Sequence, residues 1–225
     1  MAARSQRPAA PEAPPDGSRE SRHRARATVR HELVLDAARS AFFELGMDKT
    51  SMREIARRAG YTAGALYSYF PSKEHIYGTL LRESLQRLNA QVTQALAATT
   101  SEHDRRLCAA AGAFFDFYRN NPRDMDLGFY LFQGIAPRGL TREIDKSLND
   151  LVRQALHPCL SALQGLGFSH EQATREITAL FAHIVGLLML RHTGRIRMFG
   201  QSAQALFEAY VTQLAARARE AVQTG

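Results

Sequence analysis

Cysteine is scarce in this sequence, and the motifs of the common enzyme classes are missing. The 225 residues include only Cys108 and Cys159, too few and too far apart for a disulfide framework or a CxxC metal site, which favours a reducing, cytosolic setting. HExxH, GxSxG, P-loop and GxGxxG patterns do not occur, so the sequence assigns no nucleophile and no phosphate loop. We therefore expect no enzyme activity, no catalytic residues and no cofactor.

Histidine occurs eight times, but no spacing predicts a metal site. His183 and His192 are nine residues apart on one predicted helix, which turns them about 180° away from each other at ~3.6 residues per turn. Because one ion cannot bind both side chains, we expect no bound metal. His183 is better explained as a core or interface residue.

No apolar run is long enough to span a membrane. The best candidate, residues 177–190, has 14 residues, is interrupted by His183 and is followed by Arg191, whereas a spanning helix needs ~20 apolar residues. The first 20 residues contain four prolines and no apolar stretch of the kind that an export signal needs. These features predict a soluble, cytoplasmic protein without a membrane partner, in which residues 177–190 form a core or interface helix.

Acidic residues are outnumbered, and the imbalance is concentrated at one end. Lys plus Arg number 29 against 22 Asp plus Glu, which gives a net charge of +7. Residues 1–30 hold seven Arg and three acidic residues, so more than half of the excess lies there, whereas residues 31–75 are balanced. Such a basic arm suggests a polyanionic partner, although a solvated, disordered tail has the same composition.

Past the arm, apolar residues recur at helical spacing and almost nowhere at strand spacing, which predicts an all-α protein of about nine helices. The first helix is expected to stop at Gly46. Ser51 and Glu54 form a capping-box pattern for the second helix, and Thr62 can cap the third. A later helix is expected to kink at Pro158. The chain divides into a disordered arm at 1–27, a helix-turn-helix head at 28–75 and a larger helical body at 76–225.

The third helix of the head has two different faces. Its apolar face can pack on the preceding helices, through Tyr61, Leu66 and Phe70. Its other face begins with small residues and continues with phenols: Thr62, Ala63, Gly64, Tyr67 and Tyr69. Small residues let the backbone approach base edges in the major groove, and hydroxyls can donate to phosphates, with Lys73 adding a cation nearby. The pattern suggests a DNA-binding helix, but a tyrosine-rich helix also suits a protein core.

The head resembles the DNA-binding domain of the tetracycline-repressor (TetR/AcrR) family, most strongly over residues 50–74. The residues in register with the family signature are Ile55-Ala56, Ala59-Gly60, Gly64, Leu66-Tyr67, Tyr69-Phe70 and Ser72-Lys73-Glu74. Members are mostly homodimeric repressors, which leave palindromic operators when a small molecule enters the C-terminal domain. The resemblance therefore implies a ligand-responsive transcriptional regulator, most often a repressor, which binds double-stranded DNA as a homodimer and is released by a small, largely apolar effector.

On the matching positions, the resemblance implies phosphate contacts by Thr50 or Ser51, Tyr67, Tyr69 and Lys73, and base or groove contacts by Thr62, Ala63 and Gly64. Ala63 departs from the family, which often has lysine there, so this helix presents a methyl group that donates no hydrogen bond. The DNA affinity that a lysine at position 63 would supply is expected from the arm instead. Its arginines can enter the adjacent minor groove, as related arms do: Arg22, Arg24, Arg26 and Arg30. The alternatives are an arm that frays in solution and an adaptor that binds a partner protein in place of operator DNA.

In the body, the aromatic residues and the last two helices suggest where an effector and a second subunit bind. The residues expected to line an effector pocket are Phe115, Tyr118, Phe129, Tyr130, Phe132, Gln133 and His183. The residues expected in the dimer interface are Phe181, Ile184, Leu188, Phe207, Tyr210, Val211 and Leu214. Each set has an alternative: aromatics at helical spacing fill ordinary cores, and an apolar helix is also explained by deep burial in the monomer.

Overall fold

The computed structural model describes residues 17–129 and 140–223, and within these ranges it contains helices and no strands. In those parts of the chain the α-helices are α1, Gly17–Lys49; α2, Met52–Ala59; α3, Ala63–Tyr67; α4, Lys73–Ala97; α5, His103–Asn120; α6, Pro122–Gly128; α7, Arg142–Gly165; α8, His170–His192; and α9, Ala203–Gln223. A short 3-10 helix, Arg195–Phe199, links α8 to α9. The prediction of an all-α fold with a small head and a larger body is confirmed.

The first helix begins well before the position that the sequence suggested. The prediction of a disordered arm over residues 1–27 is wrong for residues 17–27, which are helical, while residues 1–16 lie outside the described part. After Pro15 this stretch contains no proline and is rich in arginine and alanine, which favour a helix. At its other end α1 is interrupted at Gly46, whose φ of 76° suits glycine, so the stop predicted there is confirmed.

The core of the head lies between α1, α2 and α3. Phe42 of α1, Ile55 of α2 and Leu66 of α3 are each no more than 1% exposed, and Phe70 is buried with them in the turn after α3. Each such side chain contributes roughly 1.5–3 kcal/mol when it leaves water. Because all three helices supply these side chains, α3 has a fixed position relative to α1 and α2.

The body is built around α4, α5 and α7, which make its most extensive helix contacts. The Asn89 side chain of α4 donates to the carbonyl oxygen of Leu151 in α7 at 3.0 Å. α5 runs antiparallel to α7, since His103 at its start lies against Gly165 at the end of α7. A Cβ at Gly165 would lie 2.3 Å from the His103 ring, so a larger residue there would displace this exposed side chain. The helix α7 continues through Pro158, where the sequence predicts a kink.

The helix α8 begins with the predicted capping box. The Ser169 hydroxyl accepts from the amide of Gln172 at 3.2 Å, and the Gln172 side chain accepts from the Ser169 amide at 2.8 Å. The helix α8 is long and apolar enough to cross a membrane, but the core helix of a soluble protein meets the same two criteria. Only 28% of its most apolar stretch is buried inside the chain, so much of this helix faces outward.

Candidate nucleic-acid interface and effector region

The turn between α2 and α3 sets the direction in which α3 leaves the head. Gly60 has φ 75° and ψ 27°, the left-handed conformation that ends many helices, and the Tyr61 amide donates to the carbonyl oxygen of Ala56 at 2.9 Å. Thr62 then caps α3 by accepting from the amide of Ala65 at 3.2 Å. A glycine cap followed directly by an N-cap holds the start of α3 in a defined geometry.

The start of α2 is held by Ser51 and by an ion-pair network. The Ser51 hydroxyl accepts from the Glu54 amide at 3.1 Å, as the capping-box pattern predicts. Instead of closing the box on the Ser51 amide, the Glu54 carboxylate accepts from Arg57 at 2.9 Å and from Arg58 at 2.7 Å. These two guanidinium groups lower the pKa of Glu54 to about 2. Arg58 also pairs with Glu44 of α1 at 2.9 Å, so the network ties α2 to α1.

The helix α3 exposes the face that the sequence assigns to DNA. Tyr67 is 55% exposed and Tyr69 is 42% exposed, and Thr62 is exposed at the start of the helix. A Cβ added at Gly64 would meet nothing within 4 Å, so no packing requirement explains this glycine, which weakens a helix. Ala63 is half-buried and packs partly against the core, so less of it is open to a base.

Two predicted phosphate contacts, Thr50 and Lys73, are used inside the head instead. Thr50 is 2% exposed, and its hydroxyl bonds to the carbonyl oxygens of Ala41 and Gly46. The Lys73 ammonium donates to the carbonyl oxygens of Met47 and Thr50, the latter at 3.0 Å. Carbonyl groups at the end of a helix lack partners, and a cation satisfies them. Burial thus excludes Thr50 as a DNA contact, and Lys73 has a structural role at the end of α1.

The four arginines of the expected arm lie on the first part of α1. All of them are exposed: Arg22, Arg24, Arg26 and Arg30. Arg30 Nη1 donates to the hydroxyl of Tyr69 at 3.5 Å, and the hydroxyls of Tyr69 and then Tyr61 raise the pKa of Arg30. A helix with its side chains is ~10–12 Å wide, whereas the minor groove is ~6 Å wide. The helix itself is therefore too wide to lie in the minor groove, and insertion of the arginine side chains alone stays a prediction.

Two residues of the expected effector pocket are packed against α9. Phe115 is fully buried, and its ring stacks on Phe207 with centroids 4.4 Å apart. The His183 ring stacks on Tyr210 with centroids 4.2 Å apart. Burial lowers the pKa of His183, opposed by a backbone hydrogen bond with Leu206, so the imidazole is largely neutral at pH 7. Both residues hold α9 to the body, and their place in an effector pocket stays a prediction.

Tyr118 and Phe129 belong to a group of four aromatic rings from α5, α8 and the end of α6. Tyr118 contacts Phe114 and Phe129, each with centroids 5.4 Å apart, and Phe181 lies 6.0 Å from Phe129. Burial, and then Asp124, raise the pKa of Tyr118, so its hydroxyl stays protonated. We call Phe114, Tyr118, Phe129 and Phe181 the aromatic cluster. The other expected pocket residues lie just beyond it, outside the described residues: Tyr130, Phe132 and Gln133.

A cleft of about 600 Å³ separates α1 from α4, the end of α5 and α6, and the sequence did not reveal it. The Arg123 guanidinium lies 5.4 Å from the centre of the exposed Phe43 ring. Arg87 of α4 pairs with Asp124 of α6 at 2.5 Å. Sequence reasoning missed these residues because they come from separate helices and no motif joins them. The contacts connect the first turn of α6 to the head and to α4.

A buried carboxylate is the other feature that sequence reasoning missed. Asp126 of α6 is 8% exposed, and His192 Nε2 at the end of α8 lies 3.7 Å from its Oδ1. Burial raises the pKa of Asp126, and His192 opposes this shift. The one signal in the sequence is that Asp126 stands between the apolar residues Met125 and Leu127, both of which are buried.

Five of the seven residues expected in the dimer interface point into the monomer, and Phe181 and Tyr210 are partly buried. Buried inside the chain are Ile184, Leu188, Phe207, Val211 and Leu214. Phe181 packs on Phe114, and Tyr210 packs on His183. Large apolar side chains at helical spacing thus form the monomer core, which was the alternative explanation. The outward faces carry small residues, which we call the small-residue face: Thr178, Ala179, Ala182 and Gly186 of α8, and Ala205, Ala209, Thr212 and Ala216 of α9.

Neither a metal centre nor a reactive thiol is evident in the described parts of the chain. There, no group of three or more His, Cys, Asp or Glu residues is arranged to hold a metal ion. Cys159 is buried, and burial, with a smaller contribution from Cys108, raises its pKa to about 12. Cys108 is exposed, and partial burial of its thiol also raises its pKa. Both thiols are therefore protonated at neutral pH and weakly nucleophilic.

The chain matches two family models, one for each part of the fold. Residues 34–80 match the family described as bacterial regulatory proteins, tetR family. Residues 107–214 match the tetracyclin repressor-like C-terminal domain. The first range contains the helix-turn-helix, and the second extends from α5 into α9.

Curated relatives are helix-turn-helix transcriptional regulators named for both directions of control. The activator FasR of Mycolicibacterium smegmatis is 36% identical over 116 residues, 52% of either chain. The repressor KstR of the same organism is 33% identical over 76 residues, 34% of this chain and 37% of KstR. The regulator YdgC of Bacillus subtilis is 27% identical over 150 residues, 65% of this chain and 71% of YdgC. The chain thus spans about half the length of FasR and little more than a third of KstR.

Solved structures share the fold over both the head and the body. The regulatory protein SCO4313 superposes with a TM-score of 0.69 at 19% identity, covering 85% of this chain and 97% of that chain. The regulator FadR of Bacillus subtilis, solved in complex with stearoyl-CoA, superposes with a TM-score of 0.61 at 17% identity, covering 82% and 97%. At these identities the likeness establishes the fold.

Proposed function

The chain belongs to the tetR family of bacterial regulatory proteins, and on this premise we propose that it is a homodimeric repressor, released from a palindromic operator by a small apolar effector. Membership makes it a DNA-binding transcriptional regulator and not an enzyme, in line with the names of its relatives. The observation that carries the proposal is the exposed face of α3, on a rigid three-helix head joined to a body with an aromatic cluster. Its place of action is then the cytoplasm, where bacterial DNA lies.

The exposed face of α3 is the proposed DNA-reading surface. Thr62 and Gly64 would face base edges in the major groove, because neither has a bulky side chain and neither is needed for packing. Tyr67 and Tyr69 would donate to phosphate oxygens on either side, and Ser51, exposed at the start of α2, would contact the neighbouring strand. The rigid turn before α3 supports this assignment, since base contacts require a helix of fixed orientation.

The small-residue face is the proposed contact with the second subunit. Thr178, Ala182 and Gly186 recur along one exposed side of α8, and a Cβ at Gly186 would meet nothing within 4 Å. Over this stretch, the outward face of the 23-residue helix α8 carries no charged side chain. An exposed apolar face of this kind is unusual in a monomer. Pairing α8 and α9 with their copies about a two-fold axis would bury this face, and small side chains permit close helix packing.

The aromatic cluster is the proposed effector site, and it favours apolar ligands. Its rings come from α5, the end of α6 and α8, and a ligand between them would displace Phe129 and with it α6. A structural neighbour was solved with stearoyl-CoA, so long-chain acyl-CoA is the first class to test. We expect stearoyl-CoA to raise the melting temperature and to release DNA, and Phe129→Ala to weaken both effects.

Coupling between effector and DNA would run through α6. Its first turn contacts the head through Arg123 and Phe43, and it is tied to α4 by the ion pair of Arg87 with Asp124. A displaced α6 would therefore change how the head is held on the body. DNA and effector would then favour different conformations and compete through one equilibrium.

Fluorescence anisotropy with a duplex from the region upstream of the protein's own gene tests the DNA assignment. Removing a hydroxyl that donates to a charged phosphate costs about 1.5–3 kcal/mol, so Tyr67→Phe is expected to weaken binding by about tenfold or more. Tyr210→Phe, which keeps its ring on His183, is the matched control and should bind as the wild type does. Equal affinities for Tyr67→Phe and wild type would contradict the role of α3. Binding of a protein but of no DNA would favour an adaptor.

Sedimentation equilibrium tests the dimer. We expect Ala182→Glu to convert the dimer to a monomer, because it places a charge in the centre of the small-residue face. Ala97→Glu, exposed at the end of α4, is the control and should stay dimeric. A monomeric wild type, or a dimeric Ala182→Glu variant, would contradict the proposed face.

Transcription in vitro shows whether the protein represses or activates its promoter. Relatives are named as activator and as repressor, and the resemblance of the head implies the latter more often. We expect added protein to reduce transcription from the bound promoter and stearoyl-CoA to restore it. An increase in transcript on addition of the protein would identify an activator.

A further inference from the structure

The first part of α1 carries a stripe of arginines. Arg22, Arg26 and Arg30 are exposed and follow one another at steps of four residues, and each step turns by only ~40° around a helix. The three side chains therefore share one side of α1, over a length of ~12 Å at ~1.5 Å per residue. Arg24 lies roughly 160° from Arg26 by the same geometry and points to the opposite side.

The stripe begins beside α3. Arg30 donates to the hydroxyl of Tyr69, two residues after the end of α3. Arg26 and Tyr61 line one groove, and Tyr61 stands in the turn directly before α3. The side of α1 that carries the stripe thus meets residues at both ends of α3. Arg26 and Arg22 then continue this surface beyond the head.

The charge of the head makes this stripe significant. Residues 31–75 hold equal numbers of basic and acidic residues, and Arg57 and Arg58 are paired with Glu54. Lys73 is engaged with the end of α1, and position 63 is alanine. The face that α3 presents is therefore weakly charged, although attraction to phosphates supplies much of the affinity of most DNA-binding proteins.

We propose that the N-terminal part of α1 is a second DNA-contact surface, which stays helical on DNA and binds phosphate groups flanking the base pairs read by α3 through Arg22 and Arg26. Arg30 stays with Tyr69 and links this surface to α3. The proposal rests on the proposed function, since it requires that the head binds DNA. It differs from the expected insertion of the arm into the minor groove, because a helix about twice as wide as that groove stays outside it and its stripe follows the flanking phosphates.

Two charge-matched variants of the full-length protein test the stripe. Arg22→Gln with Arg26→Gln removes it, whereas Arg24→Gln removes a charge from the opposite side of the same helix. Affinity for the upstream duplex and for a random-sequence duplex is measured from low to moderate salt. Each phosphate contact contributes ~0.9 to the slope of log affinity against log salt, so the double variant, which loses two contacts in each subunit of the proposed dimer, is expected to lose about 3.6. Arg24→Gln is expected to lose less than half of one contact, and circular dichroism should show unchanged helix content in both variants.

Chemical probing locates the contact on DNA. Phosphates that flank the base pairs protected by α3 are ethylated for this purpose. We expect this ethylation to weaken binding of the wild type but not of the double variant. Distamycin, which fills the minor groove, should leave the affinity difference between wild type and double variant unchanged. If distamycin abolishes that difference, the arginines enter the minor groove and the proposal is overturned.

The remaining outcomes separate this proposal from the function on which it rests. A wild type that binds the duplexes with a steep salt slope, together with a double variant of equal slope, overturns the stripe alone. A loss for Arg24→Gln half as large as that of the double variant also overturns it, since only total charge would then matter. A wild type that binds no duplex, with no effect of Tyr67→Phe, overturns the DNA-binding function and this proposal together.

Discussion

The hydroxyl of Tyr77 in α4 donates a hydrogen bond to the main-chain carbonyl oxygen of Leu127 in α6. Tyr77 is 1% exposed, and its ring meets Phe42 of the head edge-on with centroids 5.8 Å apart. Leu127 stands two residues before Phe129 of the aromatic cluster. One side chain therefore touches both the core of the head and the helix that leads into the candidate effector region.

Tyr77→Phe removes this hydrogen bond and keeps the ring. The carbonyl oxygen of Leu127 loses a buried donor, which costs about 1–3 kcal/mol, so we expect a lower free energy of unfolding by that amount in urea titrations. Tyr67→Phe, on the exposed face of α3, is the matched control and should leave the free energy of unfolding within about 0.5 kcal/mol of wild type. An unchanged midpoint for Tyr77→Phe would show that the bond contributes nothing to stability.

Gly64→Ala separates the stability of α3 from its function. Alanine stabilises a helix by up to about 1 kcal/mol relative to glycine, and a Cβ at Gly64 has open space, so the variant should unfold no more easily than wild type. On DNA the added methyl group would keep the backbone from the base edges, and we expect at least tenfold weaker binding. Gly112→Ala, in α5 with equally open space, is the control and should bind DNA normally. Normal binding by Gly64→Ala would remove the reason for glycine at this position.

Lys73→Gln tests whether this lysine acts on the fold. Because its ammonium donates to carbonyl oxygens at the end of α1, its loss should lower the free energy of unfolding by about 1–2 kcal/mol. Lys49→Gln, at the exposed end of α1, is the control and should unfold as the wild type does. If Lys73→Gln has normal stability but binds DNA more weakly, the result would support the phosphate contact that the sequence suggests for Lys73.

Local signals in the sequence predict the ends of helices well. The glycine at position 60, the N-cap threonine at 62 and the capping box at Ser169 act on neighbouring residues, and each lies where the sequence places it. The start of α1 is the exception. Four prolines in the first 15 residues suggest a disordered arm, but proline blocks a helix only locally, and the proline-free stretch from Gly17 is helical.

Tertiary contacts explain what sequence reasoning could not assign. Thr50 and Lys73 match family positions by residue type, but their partners are carbonyl groups brought near by the fold of α1. The apolar pattern of α8 does not distinguish its inward face from its outward one, so Ile184 and Leu188 were assigned to a partner although they fill the core. Small residues such as Ala182 occur on buried and exposed faces alike, so the sequence does not show which face they lie on. Only the packing of the helices shows that Ala182 is exposed.

The ion-pair network around Glu54 should make the stability of the head depend on pH. The pKa of Glu54 is lowered to about 2 by Arg57 and Arg58, from an ordinary value of 4.5. The ionised carboxylate therefore stabilises the fold fully above pH 4.5, and this contribution disappears as the pH falls from 4.5 towards 2. Glu54→Gln should consequently melt at a lower temperature than wild type at pH 7, by a margin that narrows over that range.

Melting curves recorded by circular dichroism between pH 7 and pH 2.5 check this expectation. Glu171→Gln is the matched control, because Glu171 pairs with Arg175 on a surface where their side chains are 85% and 74% exposed, and such pairs contribute little. Its melting temperature should follow the wild type at every pH. A constant margin for Glu54→Gln across the whole range would mean that the carboxylate charge is not the stabilising element. The effect of glutamine would then lie in packing, and the ion pair between α2 and α1 would be that of Arg58 with Glu44.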